Sequence, residues 1–148
     1  MQEFLPMATE FAKNHMLMVI AWVALFVMVI YSYLQAFTSK VKLIDNPQLV
    51  SLMNNQDAVV IDVRTLDEFG RGHIIHSINL LPSDIKKQSL GKLEQHKNTP
   101  IIVVCETGMS ASSSANLLIK QGFTDVYTLR EGIAGWRSAN LPLIKKDK

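Results

Sequence analysis

The segment Met16–Leu34, MLMVIAWVALFVMVIYSYL, constrains this chain more than any other feature, because its nineteen residues include no charge, no proline and no glycine. At the rise of an α-helix it extends about 28 Å, close to the thickness of a bilayer's hydrocarbon core. Tyr31 and Tyr33 stand near one end, where amphipathic rings settle at a membrane interface. Two other readings compete. A cleaved secretory leader needs a basic flank and a small-residue cleavage site. Here the preceding residues include Glu3, Glu10 and Lys13, the apolar run is long for a leader core, and no such site follows. A buried core helix needs both of its faces covered within a small domain. The reading taken is one transmembrane helix over residues 16–34, preceded by a non-cytoplasmic segment 1–15 and followed by a linker 35–40. Only Lys13 precedes the run, whereas Lys40 and Lys42 follow it, so the positive-inside bias puts the rest of the chain in the cytoplasm.

Cysteine usage agrees with that orientation. The single cysteine leaves no internal disulfide and suits a reducing compartment. A net charge of +2, with no basic stripe interleaved with aromatics, argues against nucleic acid as a partner. The four histidines, His15, His73, His76 and His96, offer no two ligand pairs at zinc spacing, so neither a metal nor a cofactor is expected. Lys145, Lys146 and Lys148 make residues 145–148 a solvated basic tail.

Over residues 41–144, short apolar runs alternate with stretches of helical pattern. The runs at 41–44, 58–62, 77–80, 101–104 and 126–129 are predicted strands, and IIVV at 101–104 is the most apolar. A helix is predicted over 46–54, with Asn46 as N-cap and Pro47 at the first helical position. A second, over 65–70, opens on a Thr65-x-x-Glu68 capping box. A third lies around 83–95 and is interrupted near Gly91. A fourth runs over 111–121, with Leu117 and Leu118 facing inward and Gly122 as its stop. A last one around 133–139 carries Trp136. Strands alternating with helices predict an α/β fold: a mostly parallel sheet with helices on both faces. Such sheets bind ligands beyond the carboxyl ends of their strands. Cys105 stands directly after the strand at 101–104.

The loop that follows reads Cys105-Glu106-Thr107-Gly108-Met109-Ser110 and runs into the helix at Ala111. Gly108 permits the positive φ that a tight turn needs, and successive backbone N–H groups of such a loop can face the thiol. The helix N-terminus adds partial positive charge. Together they favour an anion on or near sulfur, and a stabilised thiolate is a good nucleophile. The plain alternative is that a lone cysteine after an apolar strand is a small buried hydrophobe.

Two blocks resemble the rhodanese-like domain family of sulfurtransferases. The first comprises Asp62-Val63-Arg64, Glu68-Phe69, Gly72-His73-Ile74, Asn79 and Pro82. The second comprises Cys105, Gly108, Ala115, Leu118, Gly122-Phe123, Val126, Leu129, Gly132 and Gly135-Trp136. With the N-terminal anchor, the whole chain is similar to short, membrane-anchored rhodanese proteins of the bacterial inner membrane. The resemblance implies a rhodanese-like domain over 41–144 and a sulfurtransferase or persulfide carrier. Cys105 would accept sulfane sulfur as Cys–S–S⁻, and the amides of Glu106, Thr107, Gly108, Met109 and Ser110 would hold the anion. Asp62 and Arg64 would support the loop. The donor and the acceptor would each be a small molecule or a protein persulfide, and the anchor leaves room for a membrane-protein partner.

Local reading gives the first block structural work. Arg64 and Glu68, four apart, can pair locally. Asp62 can satisfy loop amides, and His73 can satisfy backbone groups in its turn. The chain also departs from the family pattern. Many active members carry a basic residue in or just after the loop; here Ser110 ends it, no Arg or Lys is present, and Glu106 is acidic. Thiosulfate is therefore no better supported as a donor than a persulfide, and a rhodanese-fold interaction module with little turnover is a second reading. A cysteine phosphatase or arsenate reductase is disfavoured, because the arginine clamp such a loop needs six residues after the nucleophile is Ala111.

Overall fold

The computed structural model describes residues 4–38 and 41–146. The ends of the expected segments at residues 1–3, 39–40 and 147–148 fall outside the described residues. The chain divides into two units, Met1–Thr38 and Ser39–Lys148.

In the first unit, α1 (Phe4–Asn14) is followed after one residue by α2 (Met16–Thr38). The expected segment 1–15 is thus largely helical, and α2 continues past Leu34 into the stretch read as linker. Its Met16–Leu34 part is long and apolar enough to cross a membrane, and none of that window is buried.

The second unit is built on five parallel strands: β1 (Lys42–Ile44), β2 (Val59–Asp62), β3 (Ile78–Asn79), β4 (Ile101–Val104) and β5 (Val126–Leu129). Their spatial order is β1-β5-β4-β2-β3. The helices are α3 (Asn46–Gln56), α4 (Leu66–Arg71), α5 (Pro82–Lys86), α6 (Ala111–Lys120) and α7 (Gly132–Ser138), with a 3₁₀ turn at Gly91–His96.

Period-two alternation sorts the core onto the two faces of the sheet. Ile101 and Val103 pack with Ile61, Val126 and the inner residues of α6, Ala111, Ala115 and Leu118. Ile102 and Val104 pack with Val60, Leu129, Leu49 of α3, and Ile133 and Trp136 of α7. All four β4 side chains have no exposure, so this strand is covered on both faces. That is why its sequence is an unbroken apolar run, each residue contributing about 1.5–3 kcal/mol of burial. The same alternation carries past the strand end and puts Cys105 on the Ile101–Val103 side, against α6.

Three local expectations shift. The N-cap of α3 is Asp45, not Asn46: its carboxylate accepts from the Gln48 N–H at 3.0 Å, and Gln48 Oε1 accepts from the Asp45 N–H at 3.0 Å. The stretch read as one interrupted helix over 83–95 is a single turn of α-helix and a separate 3₁₀ turn, with Gln88 at positive φ between them and Gly91, also at positive φ, opening the second. Leu117 is only partly buried, while Leu118 is fully inside. The Thr65–Glu68 capping box is present, and α6 ends as expected: Gly122 at φ +100° lets Phe123 N–H reach the Leu118 carbonyl and Gly122 N–H that of Ile119.

Candidate active site

The loop 105–110 leaves β4 at the carboxyl edge of the sheet and is anchored from behind by α7. The Ile133 N–H donates to the Cys105 carbonyl and the Ala134 N–H to the Glu106 carbonyl, both at 2.9 Å. A peptide is planar, with its C=O and N–H opposed. Turning these two carbonyls toward α7 therefore aims the N–H groups of Glu106 and Thr107 the other way. Two glycines make this approach possible. A Cβ on Gly132 would meet the Cys105 carbonyl oxygen and lie 2.7 Å from that of Glu106. A Cβ on Gly108 would meet the Arg130 carbonyl oxygen and lie 2.9 Å from that of Leu129. Gly108 also sits at φ +90°, a conformation that side chains resist.

The Gly108 N–H donates to Cys105 Sγ at 3.0 Å. Cys105 itself is 3% exposed, at the foot of the loop, whereas Thr107, Met109 and Ser110 are exposed and Glu106 and Gly108 are half-buried. Ser110 is the N-cap residue of α6 but makes no side-chain capping bond, so its hydroxyl leaves the first-turn amides of that helix unclaimed.

Beside the loop lies a chain of charges. Asp62 is fully buried at the end of β2, and Arg64 is 6% exposed. The Arg64 Nε donates to both Asp62 oxygens at 3.0 and 3.1 Å, and Nη2 donates to Asp62 Oδ2 and to the Gly72 carbonyl, each at 2.7 Å. The Asp62 carboxylate also accepts the Arg64 N–H at 3.0 Å, as expected of a carboxylate that satisfies loop amides. The remaining arm, Nη1, donates to Glu106 Oε2 at 3.2 Å, and Arg137 Nη1 donates to Glu106 Oε1 at 3.2 Å. Burial works against the Arg64 charge, but its bonds to Asp62 and Glu106 outweigh that and raise its pKa above the ordinary arginine value.

The expected Arg64–Glu68 pair does not form. Arg64 turns inward to Asp62 and Glu106, and Glu68 is taken by Thr65, whose N–H and hydroxyl donate to Oε2 at 3.0 and 2.7 Å. His73 does meet a backbone group: its Nδ1 lies 2.8 Å from the Phe69 carbonyl, and its ring stacks on Phe69. Sequence does not single out Arg137, because nothing near it in the chain marks it as a partner of a residue 31 positions away.

A profile of the Rhodanese-like domain family matches residues 45–139. The uncharacterized protein YibN of Escherichia coli K12 is 48% identical over 136 residues, covering 92% of this chain and 95% of that protein. The thiosulfate sulfurtransferase GlpE of Pseudoalteromonas translucida is 35% identical over 92 residues, covering 62% of this chain and 85% of GlpE. Among solved structures, a rhodanese-related protein from Thermoplasma volcanium matches with a TM-score of 0.61 at 22% identity, covering 71% of this chain and 99% of its own, which speaks for the fold alone.

Proposed function

Since this chain belongs to the rhodanese-like domain family, we propose that it is a rhodanese-type sulfurtransferase or persulfide carrier that holds sulfane sulfur on Cys105. The observation that carries this reading is the Gly108 N–H donating to Sγ at the carboxyl end of the central buried strand. In the first step the Cys105 thiolate attacks the outer sulfur of a donor, a new S–S bond forms, and the donor's remaining fragment leaves with the old bond's electron pair. In the second, a nucleophilic acceptor takes the outer sulfur and the thiolate returns. Between the steps the charge of Cys–S–S⁻ needs donors already in place, and the amides of residues 106–110 with the uncapped start of α6 are suited to that. Asp62 and Arg64 act as positioning residues that hold the end of β2 and the Glu106 side chain.

A second reading is a rhodanese-fold interaction module without turnover. The observation that favours it is Glu106, the residue after the sulfur, in a loop that carries no cation. Mass spectrometry of the purified chain after exposure to thiosulfate and to a small persulfide separates the two. One added sulfur, removable by cyanide and absent from Cys105→Ser, is the expected result; an unmodified Cys105 with every donor leaves the module reading.

The membrane assignment belongs to the same proposal. Residues 16–34 anchor the chain in a bacterial inner membrane as a single span, with residues 1–15 outside and 41–144 in the cytoplasm. The apolar run and the flanking lysines support it. Sulfur would then pass to or from a small molecule, a protein persulfide or a membrane-protein partner at that surface.

A further inference from the structure

The short helix α1 is sharply two-sided. At the helical period Leu5, Met7, Ala8, Phe11 and Ala12 fall on one side, and Thr9, Glu10, Lys13 and Asn14 on the other. Among the described residues nothing covers the apolar side: Leu5 is 69% exposed, Met7 65% and Phe11 58%. The joint to α2 is a break in the helical ladder. The His15 N–H closes the last turn of α1 on the Phe11 carbonyl at 3.0 Å, and the Met18 and Val19 N–H groups then both turn to the His15 carbonyl, at 3.0 and 3.1 Å. Met18 thereby makes an i→i−3 bond where an unbroken α-helix has one to Asn14. Across the joint, Phe11 lines one hollow with Met18, Val19 and Trp22, so the apolar side of α1 runs on into the surface of α2. Two lengths limit where α1 can be. As one straight rod, Phe4–Thr38 would reach about 52 Å, more than the roughly 40–45 Å of a whole bilayer. The helix α1 is itself about 16 Å long and ends one residue from the apolar span, so it cannot leave the neighbourhood of the headgroups.

Resting on the reading of residues 16–34 as a membrane span, we propose that α1 is an interfacial helix that turns at His15 and lies along the outer face of the bilayer. Leu5, Met7 and Phe11 enter the acyl chains, and Thr9, Glu10, Lys13 and Asn14 face water. The occupant of the apolar side is therefore lipid. The neighbouring helix α2 fixes that choice: its apolar window is uncovered among the described residues, and the hollow from Phe11 to Trp22 is continuous with it. Such a helix sits with its apolar face about 5–10 Å into the headgroup boundary. Charge contributes little, since Glu10 and Lys13 within α1 cancel, so apolar burial holds the helix without anionic headgroups. Lying flat, α1 fixes the depth and rotation of α2, as interfacial anchors do.

The test uses the full-length chain with Cys105→Ser, reconstituted in vesicles of phosphatidylcholine with and without phosphatidylglycerol. A nitroxide is attached in turn at Met7→Cys, Thr9→Cys, Phe11→Cys, Lys13→Cys and, within the span, Val23→Cys. Power-saturation electron paramagnetic resonance compares collisions with oxygen, which concentrates among acyl chains, and with a water-soluble nickel chelate. Labels at positions 7, 11 and 23 should favour oxygen and those at 9 and 13 the chelate, in both lipid mixtures and at every lipid-to-protein ratio. Ala8→Cys repeats the apolar-side measurement without loss of a large side chain, and circular dichroism reports the helix content of each variant. A chelate-accessible label at 7, 8 and 11, with position 23 still in lipid, overturns the interfacial helix and leaves the span standing. Labels at 7, 8 and 11 that are shielded from both reagents, and lose that shielding on dilution in lipid, assign the face to a second copy of the chain and also overturn the proposal. A chelate-accessible label at position 23 overturns the span, and this proposal with it.

Discussion

Asp62 has no exposure, and a buried carboxylate without a partner is strongly unfavourable. Arg64 answers it with Nε and Nη2 and then spends its other arm on Glu106, 42 positions away. Arg64→Ala should therefore cost about 3–5 kcal/mol in urea unfolding, chiefly by leaving Asp62 unpaired. Arg64→Lys should not rescue it, since a lysine cannot reproduce the fork. The double variant Asp62→Ala/Arg64→Ala should cost clearly less than the two single changes together, and strict additivity would disprove the pairing. Because the pKa of Arg64 is raised, this stabilisation is fully present below the ordinary arginine range and is lost only in strong alkali. At Gly108, a side chain meets both a positive φ and two carbonyl oxygens behind the loop. Gly108→Ala should cost at least about 2 kcal/mol and slow sulfur loading on Cys105, read by denaturation and mass spectrometry. Cys105 and Gly108 were legible in sequence because a strand end, a glycine and a helix start are consecutive. The partners of Arg64 are less legible, because local spacing points to Glu68, whereas Asp62 two residues back takes most of the guanidinium and only tertiary packing brings Glu106 within reach.

Helix starts carried the most readable signals. Thr65 and Glu68 cap α4 reciprocally, as their spacing predicts, and Thr65→Ala should cost about 1 kcal/mol. The bonds from Thr65 hold the Glu68 pKa below the usual carboxylate range. A depressed folded-state pKa means that the contribution exists above the unfolded value and disappears as pH falls through the folded one. The stability gap between wild type and Glu68→Ala should therefore narrow between neutral pH and pH of about 3; a gap that widens on acidification would refute the assignment. At α3 the sequence offers two adjacent capping residues, Asp45 and Asn46. Gln48 decides between them by closing a box with Asp45, which moves Pro47 one place into the helix. Between α5 and the strand β4 the helical pattern misleads, because Gln88 and Gly91 adopt positive φ and break what composition alone makes continuous.

Two units with separate compositions make the whole molecule. The parallel sheet was readable from alternation of strands and helices, but its order, β1-β5-β4-β2-β3, was not, since crossovers leave no mark in a single sequence beyond the apolarity of the central strand. The second unit has its own core on both faces of the sheet, so deletion of residues 1–38 should yield a soluble, folded domain, whereas the full chain should need detergent. Orientation is a separate matter, and it rests on few charges: Lys13 before the apolar run against Lys40 and Lys42 after it. Reporter thiols can decide it, because Cys105 is the single cysteine and can be removed. In a Cys105→Ser background, Thr9→Cys and Ser138→Cys each put one thiol at an exposed position, on either side of the span. A membrane-impermeant maleimide should label Thr9→Cys in intact cells with the outer membrane opened, and Ser138→Cys only after the inner membrane is breached. The opposite pattern would place residues 41–144 in an oxidising space. There a lone thiol would be exposed to disulfide exchange, and a persulfide on it would be short-lived.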